Sequence, residues 1–404
     1  MPDIIPSAAA DPELVAQAAP LMDATVALRR RIHAHPEVGL DLPDTQELVL
    51  DELAGMGLEG RAGQACSSVV AVIDGDREGP TVLLRADMDA LEMPEDTGVD
   101  FSSRVPGRMH ACGHDAHTAM LLGAGRLLQQ RRRDLNGRVV LMFQPGEEGH
   151  DGARVMLEEG LLDEYGPVER AFAVHISSVI PSGWVTCREG TLMASADEFH
   201  ITVSGQGGHA SMPHDAVDPV PAACQIVTSI QTMVTRSVPA FDPAVVTVST
   251  IHGGTATNVI PERVTLGGTV RAVSDRSREQ VLRALGELAS HVAAAHGCSA
   301  ELELAPGSYP VTVNDAGQAR HTLAVARALL GPDRAVVMPT PVMGAEDWSH
   351  VLRAVPGSMA FLGAAPAGQT RPAPNHSNHF VIDEAAMATG IAMYAAMGLT
   401  SAGV

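Results

Sequence analysis

Apolar positions in the first half of the chain follow two different periods. Several segments repeat apolar residues every three to four positions, which predicts helices that pack one face against a core. Between them lie short apolar runs bounded by Gly, Pro and Asp, which predict buried strands. The predicted order is helix 12–31, helix 45–56, strand 68–73, strand 81–84, helix 117–131, strand 138–143, helix 152–159 and strand 171–176. This alternation is typical of an α/β domain with a mostly parallel sheet flanked by helices.

The pattern changes near residue 193. There the predicted order is strand 198–204, helix 219–236, strand 244–251, strand 263–273, helix 277–296 and strand 300–304. This β-α-β-β-α-β order predicts an inserted ferredoxin-like α+β domain, 193–305. Beyond it follow helix 315–330, helix 345–354, strand 358–362 and helix 384–398. The catalytic domain is therefore predicted to be discontinuous, formed by residues 1–192 together with residues 306–404.

Length, charge and cysteine content narrow the class of protein. A chain of 404 residues exceeds what one hydrophobic core usually organises. The formal net charge of −21 argues against nucleic acid or an anionic membrane as a partner. The five cysteines are scattered without a CxxC pair, so we expect a reducing compartment rather than a disulfide framework. Because we find neither a signal-peptide pattern nor an apolar run of membrane-spanning length, we expect a cytoplasmic protein.

Candidate chemistry concentrates in the segment from Met109 to His117, which holds three histidines, one cysteine and one aspartate. In an extended segment the side chains of Cys112 and His114 would project to the same side. A thiolate and an imidazole in that arrangement suit a divalent metal such as zinc. Taken alone, the segment is explained equally well as a helix start with a buried free cysteine.

Further polar residues stand at or just after the ends of predicted strands. They are Asp87, Asp89, Glu147, Glu148 and His175. Ligands of parallel sheets bind beyond the carboxyl ends of the strands, so we expect these side chains to share one crevice. Adjacent residues point in different directions, so one glutamate of the pair can ligate a metal while the other transfers a proton.

Together, residues from several segments offer sulfur, nitrogen and oxygen donors for a metal. The candidates are Cys112, His114, Glu148, His175 and His376. Five donors exceed the need of one tetrahedral site, so we expect one or two divalent ions per chain, zinc or manganese. Each residue alone has an ordinary structural explanation, such as a core histidine or a surface loop. Only the joint pattern predicts a metal site.

Seven short motifs carry a resemblance to a known family. They are RADMDAL (85–91), MHACGHDAHTAMLLGA (109–124), FQPGEEG (143–149), GGHASMPH (207–214), NVIP (258–261), GTVR (268–271) and GAEDWS (344–349). They resemble the amidohydrolase branch of the aminoacylase and carboxypeptidase metallopeptidase superfamily. That branch includes hippurate hydrolases, N-acyl amino acid amidohydrolases and hydrolases of auxin–amino acid conjugates. The similarity extends from about Leu28 through the closing helix.

The resemblance implies a role for each matching residue of the catalytic domain. Cys112 would bridge two metals, and the remaining ligands would be His114, Glu148, His175 and His376. Glu147 would be the general acid/base, and Asp89 would lie behind the metals and orient a ligand. Asp87 stands where many relatives carry a metal-binding histidine, and we do not expect it to be a ligand here.

Three residues of the inserted domain would serve the substrate. The resemblance implies that the inserted domain serves dimerisation or acts as a lid. It also implies that His209 reaches the active site of a neighbouring subunit and stabilises the oxyanion, so we expect a homodimer. Asn258 and Arg271 would hold the substrate, and the planar guanidinium of Arg271 suits a carboxylate.

These roles imply metal-dependent hydrolysis of the amide bond of N-acyl amino acids, which are small-molecule substrates. The products would be a carboxylic acid and a free amino acid. The alternative is a metallo-exopeptidase that cuts dipeptides with a free amino terminus. A metal-binding protein without catalysis is disfavoured because Glu147 stands beside a complete set of ligand candidates. The segment after His175 and the last motif depart from many relatives, which leaves the acyl group and the amino acid undecided.

Overall fold

The computed structural model of the protein describes residues 10–400. In chain order the α-helices are α1 (Leu14–Ala18), α2 (Met22–His33), α3 (Pro43–Gly55), α4 (His114–Gln130), α5 (Gly152–Glu158), α6 (Leu161–Glu164), α7 (Pro219–Ser237), α8 (Asp275–Ala295), α9 (Ala316–Leu330), α10 (Trp348–Ala354) and α11 (Met387–Leu399). The strands are β1 (Gly60–Ala62), β2 (Val69–Asp74), β3 (Arg77–Asp87), β4 (Asn136–Gln144), β5 (Val168–Pro181), β6 (Val185–Cys187), β7 (Gly190–Met193), β8 (Asp197–Ser204), β9 (Gly208–His209), β10 (Ala244–Gly253), β11 (Val259–Ile260), β12 (Arg263–Ala272), β13 (Ser299–Leu304), β14 (Thr312–Asn314), β15 (Ala335–Val337) and β16 (Gly357–Ala365). Among these residues no helix combines the length and the apolar character needed to cross a lipid bilayer.

Contacts divide the described chain into two compact units. The first unit comprises the described residues up to Leu192, Val313–Thr340 and the described residues from Asp347 onward. The second unit comprises Met193–Thr312 and Pro341–Glu346. The first unit is therefore discontinuous along the sequence.

The first unit is built on a mixed sheet. Within residues 10–400 this sheet has eight strands in the order β1-β2-β4-β3-β5-β16-β6-β15. Its centre, from β4 through β3 and β5 to β16, is parallel, whereas β1–β2, β2–β4 and β16–β6 are antiparallel pairs. Helices flank the sheet. The predicted fold class, α/β with a mostly parallel sheet flanked by helices and an inserted α+β domain, is confirmed.

The first predicted helix, 12–31, is two helices in the structure. Helix α1 ends at Ala18, α2 begins at Met22, and the 3₁₀ turn between them contains Pro20. Proline lacks the N–H that the helical ladder needs, and its ring clashes with the preceding turn. The prediction of one continuous helix was therefore wrong. The period of apolar residues continues through the 3₁₀ turn, so it does not show that the α-helix is interrupted there.

Helix α4 lies at the centre of the first unit. Every residue from His114 to Gly125 is buried, because α2, α11 and β3 all pack against this helix. The carboxylate of Asp115 ties the first turn of α4 to α2. It accepts a hydrogen bond from Nε of Arg29 at 2.9 Å and lies 2.8 Å from Nδ1 of His33. Burial is the largest single influence and opposes charge on His33, but the hydrogen bonds to Asp115 and Glu95 and the charge of Asp115 together outweigh it and raise the pKa of His33 to about 9.

Neighbouring parallel strands bring polar residues to one edge of the sheet. Strand β3 ends at Asp87, which pairs in register with Gln144 at the end of β4. Glu147 and Glu148 follow three and four residues later, and the adjacent strand β5 carries His175. The carboxyl ends of parallel strands face the same way, so these side chains converge.

The second unit contains a four-stranded antiparallel sheet within the described residues, in the order β10-β12-β8-β13. Helices α7 and α8 pack against this sheet. On β8, Phe199, Ile201 and Val203 alternate into the core shared with the two helices, while the residues between them are more exposed. The chain order β8-α7-β10-β12-α8-β13 is the ferredoxin-like order.

The second unit extends beyond residue 305, where the predicted inserted domain ends. After β13 the chain returns to the start of the unit, where Tyr309 forms a bridge with Ala196. Met193 forms another bridge with Val342. These isolated backbone pairings join segments that have no apolar period of their own, so the sequence pattern does not show them.

Candidate active site

The segment before α4 is not extended, contrary to the geometry considered for Cys112 and His114. Gly113 lies between them with φ +89°, in the left-handed region, and His114 is the first residue of α4. A Cβ atom at Gly113 would stand 2.3 Å from Cγ2 of Ile176, so both the backbone angle and the space require glycine. This left-handed turn, not strand alternation, groups the thiol and the imidazole with the ring of His175.

The thiol of Cys112 is the centre of the candidate site. Its Sγ atom lies 3.4 Å from Nε2 of His175 and 3.3 Å from Nε2 of His376. Glu148 reaches the same place, with Oε1 3.1 Å from Nε2 of His376. His114 offers a ligand atom within 4.8 Å of those of Cys112 and His175. The structure thus brings together all five donors that the sequence suggested.

The spacing of these donors fits a divalent ion. Metal–sulfur bonds of about 2.3 Å and metal–nitrogen bonds of about 2.1 Å at a tetrahedral angle place the two ligand atoms about 3.6 Å apart. The two sulfur–nitrogen distances to Cys112, 3.4 and 3.3 Å, are close to this value. Within residues 10–400, Nε2 of His114 is buried and makes no hydrogen bond of normal geometry. A thiolate with imidazoles and a carboxylate is a donor set typical of zinc and related divalent metals.

Burial and neighbouring groups shift the pKa of the ligand candidates. Burial raises the pKa of the Cys112 thiol and lowers the pKa of His175 well below its usual range. Hydrogen bonds to Cys112 and Glu148 raise the pKa of His376 to about 10. Because a metal ligand must be a thiolate or a neutral imidazole, binding of an ion would release protons from Cys112 and His376.

Backbone contacts orient the two histidines beside Cys112. Nδ1 of His175 lies 2.8 Å from the backbone oxygen of Ile176, which leaves Nε2 directed at the thiol. His376 has φ +67°, an angle that costs a residue with a side chain about 1 kcal/mol. Its backbone N–H donates to the carbonyl of Ala111 at 2.8 Å, which holds the loop in this conformation. The strain is tolerated at a residue whose ring reaches the candidate site.

Asp89 joins the two glutamates to His114. Its Oδ1 accepts the N–H of Glu147 at 3.0 Å, and its Oδ2 accepts the N–H of Glu148 at 2.9 Å. Nδ1 of His114 lies 3.4 Å from Oδ1 of the same carboxylate. A carboxylate oxygen of Glu147 lies within 4.8 Å of ligand atoms of His114 and Glu148. The buried carboxylate of Asp89 therefore holds the backbone of Glu147 and Glu148 and lies beside the imidazole of His114.

A buried network beneath the site was not predicted from the sequence. Arg85 donates to Oδ2 of Asp87 at 2.6 Å, to Oε1 of Gln144 at 2.8 Å and to Oδ1 of Asp347 at 3.1 Å. Burial tends to raise the pKa of Asp87, but the charge of Arg85, together with nearby histidines, holds it well below its usual range. Arg85 and Asp87 share one motif, but Asp347 is 262 positions away from Arg85, so only the fold shows this contact.

The three residues predicted to serve the substrate lie in the second unit. Strands β9 and β11 pair His209 with Val259, and the N–H of Ala210 donates to the carbonyl of Asn258 at 3.1 Å. His209 and Asn258 are therefore neighbours. Arg271 lies on β12 of the four-stranded sheet, where burial lowers the pKa of its half-buried guanidinium.

Ser211 determines which nitrogen of His209 carries the proton. The backbone N–H of Ser211 donates to Nδ1 of His209 at 3.1 Å, and the Ser211 hydroxyl lies 2.7 Å from the same atom. Because Nδ1 accepts a hydrogen bond, a neutral His209 carries its proton on Nε2. The exposed ring thus presents an N–H donor, the type of group that stabilises an oxyanion.

Comparisons with known proteins point to one family. The profile of peptidase family M20/M25/M40 matches residues 83–399. IAA-amino acid hydrolase ILR1-like 4 of Arabidopsis thaliana is 39% identical over 378 residues, which cover 93% of this chain and 85% of that protein. Thermostable carboxypeptidase 2 of Saccharolobus solfataricus is 37% identical over 380 residues, which cover 93% of this chain and 95% of that protein.

A solved structure gives the same result. The crystal structure of a dinuclear metal-binding peptidase of the M20 family from Bacillus subtilis superposes with a TM-score of 0.81 at 32% sequence identity. The superposition covers 94% of this chain and 98% of that chain. The family resemblance recognised in the sequence motifs is thereby confirmed. The chain belongs to peptidase family M20/M25/M40 and is a metal-dependent hydrolase that acts on amide bonds.

Proposed function

We propose that this protein hydrolyses the amide bond of N-acyl amino acids and releases a carboxylic acid and a free amino acid. The observation that carries the proposal is the donor group around Cys112 with the carboxylate of Glu147 beside it. The similarity to an IAA-amino acid hydrolase supports a blocked amino acid as the substrate class.

The metal would be held by the donors that meet at the thiol. They are Cys112, His114, Glu148, His175 and His376. Cys112 lies within reach of donors from two groups, and the Bacillus subtilis relative is a dinuclear metal-binding peptidase, which supports up to two ions per chain. Our proposal for their identity is zinc or manganese. A bound ion would supply a Lewis acid that makes water nucleophilic near neutral pH and polarises the amide carbonyl.

Glu147 is the residue that moves protons. It accepts a proton from the attacking water and delivers it to the nitrogen of the leaving amine. Its side chain is almost fully buried, and Asp89 holds its backbone N–H, so the carboxylate is kept in one place beside the donors. Glu148, the next residue, contributes a ligand atom instead.

Residues of the second unit would bind the substrate. The Nε2–H of His209 suits a developing oxyanion, a contribution of roughly 3 kcal/mol per good donor. Asn258 is a second polar contact, and Arg271 offers a planar fork for the carboxylate of the amino acid. We assign His209 to the site of a neighbouring subunit in a homodimer, as the family resemblance implies.

We also propose that the protein is cytoplasmic. All five cysteines are free, and a reducing compartment keeps thiols such as Cys112 available as metal ligands. The formal charge of −21 disfavours binding to nucleic acid or to an anionic membrane, and we propose a small-molecule substrate instead.

A metallo-exopeptidase is the second candidate function. The Saccharolobus carboxypeptidase is nearly as similar to this chain as the Arabidopsis hydrolase, at 37% against 39% identity over the same share of the chain. Both reactions would use the same metal donors and Glu147. They differ in the group on the acyl side of the cleaved bond, which is a simple acyl group in one case and an aminoacyl residue with a free amino group in the other.

The distinguishing experiment uses matched substrate pairs. Protein loaded in turn with zinc, manganese or cobalt is assayed on N-acyl amino acids and on dipeptides that share the same carboxyl-terminal residue. We expect kcat/KM at least about tenfold higher for the acylated member, a preference of about 1.4 kcal/mol. Glu147→Gln protein serves as the control for contaminating hydrolases. Equal or faster cleavage of the dipeptides would replace this proposal with the exopeptidase.

A further inference from the structure

His117 is the third histidine of the motif that opens α4, and it is not among the five proposed metal donors. Its ring is fully buried between two of them, with centroid distances of 5.4 Å to the ring of His114 and 4.8 Å to the ring of His175. Ligand atoms of Asp87, His114 and His117 lie within 4.8 Å of one another, so distance alone would admit His117 as a ligand.

Both ring nitrogens of His117 are already engaged. The backbone N–H of Ile176 points at Nε2 with a donor–acceptor distance of 2.7 Å. A backbone N–H can only donate, so Nε2 is the acceptor and a neutral His117 carries its proton on Nδ1. That proton faces Oδ1 of Asp87, 2.5 Å from Nδ1. His117 therefore has no lone pair left for a metal in this arrangement.

Asp87 is itself held firmly. Its Oδ2 accepts a hydrogen bond from Nη1 of Arg85 at 2.6 Å, and its backbone carbonyl accepts one from the hydroxyl of Thr118 at 2.9 Å. All of these side chains are buried. A continuous hydrogen-bonded path thus leads from Arg85 through Asp87 and His117 to the backbone of Ile176.

The backbone of Ile176 helps to orient two of the proposed ligands, His175 and Cys112. Its carbonyl lies 2.8 Å from Nδ1 of His175 and accepts a hydrogen bond from Nδ2 of Asn375 at 3.1 Å. The same Nδ2 donates to the carbonyl of Cys112 at 3.1 Å. A shift of the Ile176 backbone would therefore turn His175 away from the thiol.

We propose that His117 is a positioning residue for the metal centre and not one of its ligands. By accepting the N–H of Ile176 at Nε2 while the buried Asp87 carboxylate holds Nδ1, it keeps Nε2 of His175 directed at Sγ of Cys112. The inference rests on the metal centre proposed above. It assigns a role to a side chain that the general reaction scheme does not use.

Two substitutions separate the roles of His117. His117→Phe keeps the size of the ring but removes both hydrogen bonds. His117→Gln places its amide oxygen near the position of Nε2, so it can still accept the N–H of Ile176. We expect His117→Phe to bind zinc about 10- to 100-fold more weakly in competition with a chromogenic chelator. His117→Gln is expected to recover most of that affinity. The absorption bands of cobalt-loaded protein should shift in His117→Phe and return towards the wild-type bands in His117→Gln.

His110→Phe is the matched control. His110 lies in the same segment and is equally buried, but within the described residues neither of its ring nitrogens has a hydrogen-bonding partner. The same change of ring should therefore leave the zinc affinity and the cobalt spectrum near wild type. Loss of metal from His110→Phe as large as from His117→Phe would show general damage to the segment and overturn the inference.

Other outcomes distinguish this inference from the proposed function. Wild-type affinity and an unchanged cobalt spectrum in folded His117→Phe would overturn the positioning role alone. A loss in folded His117→Gln as large as in His117→Phe would show that accepting the N–H of Ile176 does not position the ligands, and would also overturn it. If His117→Phe does not fold, His117→Gln decides alone: zinc affinity near wild type supports the positioning role, and a loss of about 10- to 100-fold overturns it. Absence of bound metal from wild-type protein would overturn the proposed metal centre, and the inference with it.

Discussion

Glu147 and Glu148 are adjacent in the sequence but have different surroundings. Asp89 accepts a hydrogen bond from the backbone N–H of each, so the carboxylate fixes both residues at once. Oε1 of Glu148 lies 3.1 Å from the ring of His376, among the donors around the thiol. Glu147 is more deeply buried and lies beside His114. At the scale of single residues, these different surroundings support the proposal that Glu148 is a ligand and Glu147 transfers the proton.

The glutamate-to-glutamine pair of variants tests this division. Glu147→Gln keeps the size of the side chain but cannot accept a proton, so kcat should fall at least about a hundredfold while the metal content stays unchanged. Glu148→Gln removes an anionic ligand and should lose metal after dialysis. Elemental analysis and steady-state kinetics on both proteins measure the two effects. If Glu147→Gln lost metal and Glu148→Gln kept it, the two roles would be exchanged.

The start of α4 is the element on which the candidate site depends. Its first turn carries His114, while Arg29 and His33 on α2 hold Asp115 by buried hydrogen bonds. Gly113 precedes the first residue of α4 with a left-handed backbone angle, and it packs directly against Ile176. The position of the N-terminus of α4 is therefore determined by its contacts with α2 and with Ile176 and not by helix propensity.

A pair of glycine substitutions separates the backbone angle from the packing. Gly113 and Gly160 both precede a helix with positive φ, +89° and +93°. An added Cβ meets Cγ2 of Ile176 at 2.3 Å in the first case and nothing within 4 Å in the second. Gly160→Ala should cost about 1 kcal/mol for the left-handed angle. Gly113→Ala should cost about 1–3 kcal/mol more because of the clash. Urea unfolding at constant m-value measures both, and equal losses would contradict the packing argument.

At the scale of the whole molecule, each of the two units has its own hydrophobic core. One core lies around the mixed sheet and its helices, and the other lies between the four-stranded sheet and helices α7 and α8. The proposed metal donors all belong to the first unit, whereas His209, Asn258 and Arg271 belong to the second. The proposed metal donors and the proposed substrate-binding residues are thus separated in the same way as the two units of the chain.

Mixing of two inactive variants tests the proposed homodimer. His209→Ala and Glu147→Gln should each be nearly inactive as pure dimers. If His209 serves the neighbouring subunit, a mixed dimer carries both lesions in one site and none in the other. Random pairing makes about half of the dimers mixed, so roughly a quarter of wild-type activity should return after co-refolding. If His209 serves its own chain, mixing restores nothing, and mixed dimers without activity would reject the shared site.

Much of the fold could be predicted because the repeat of apolar residues that marks a helix or a strand lies within a short stretch of the chain. The strand predicted at 198–204 is Asp197–Ser204, and the helix predicted at 315–330 is Ala316–Leu330. Strands β6 and β15 were not predicted, since each has three residues and too short a run to show a period. The break at Pro20 was missed because an apolar stripe does not report a missing backbone donor.

The sequence by itself determined which chemical groups are available and in what order they stand along the chain. It places a cysteine and a histidine at the start of a helix and paired glutamates and another histidine next to strand ends, and the motifs identify the family. Only the tertiary structure decided which atoms meet. Cys112 approaches His376 across 264 positions, and Ile176 donates to His117 across 59. A local pattern of apolar and polar residues contains no information on such hydrogen bonds, because they depend on the relative placement of whole strands and helices.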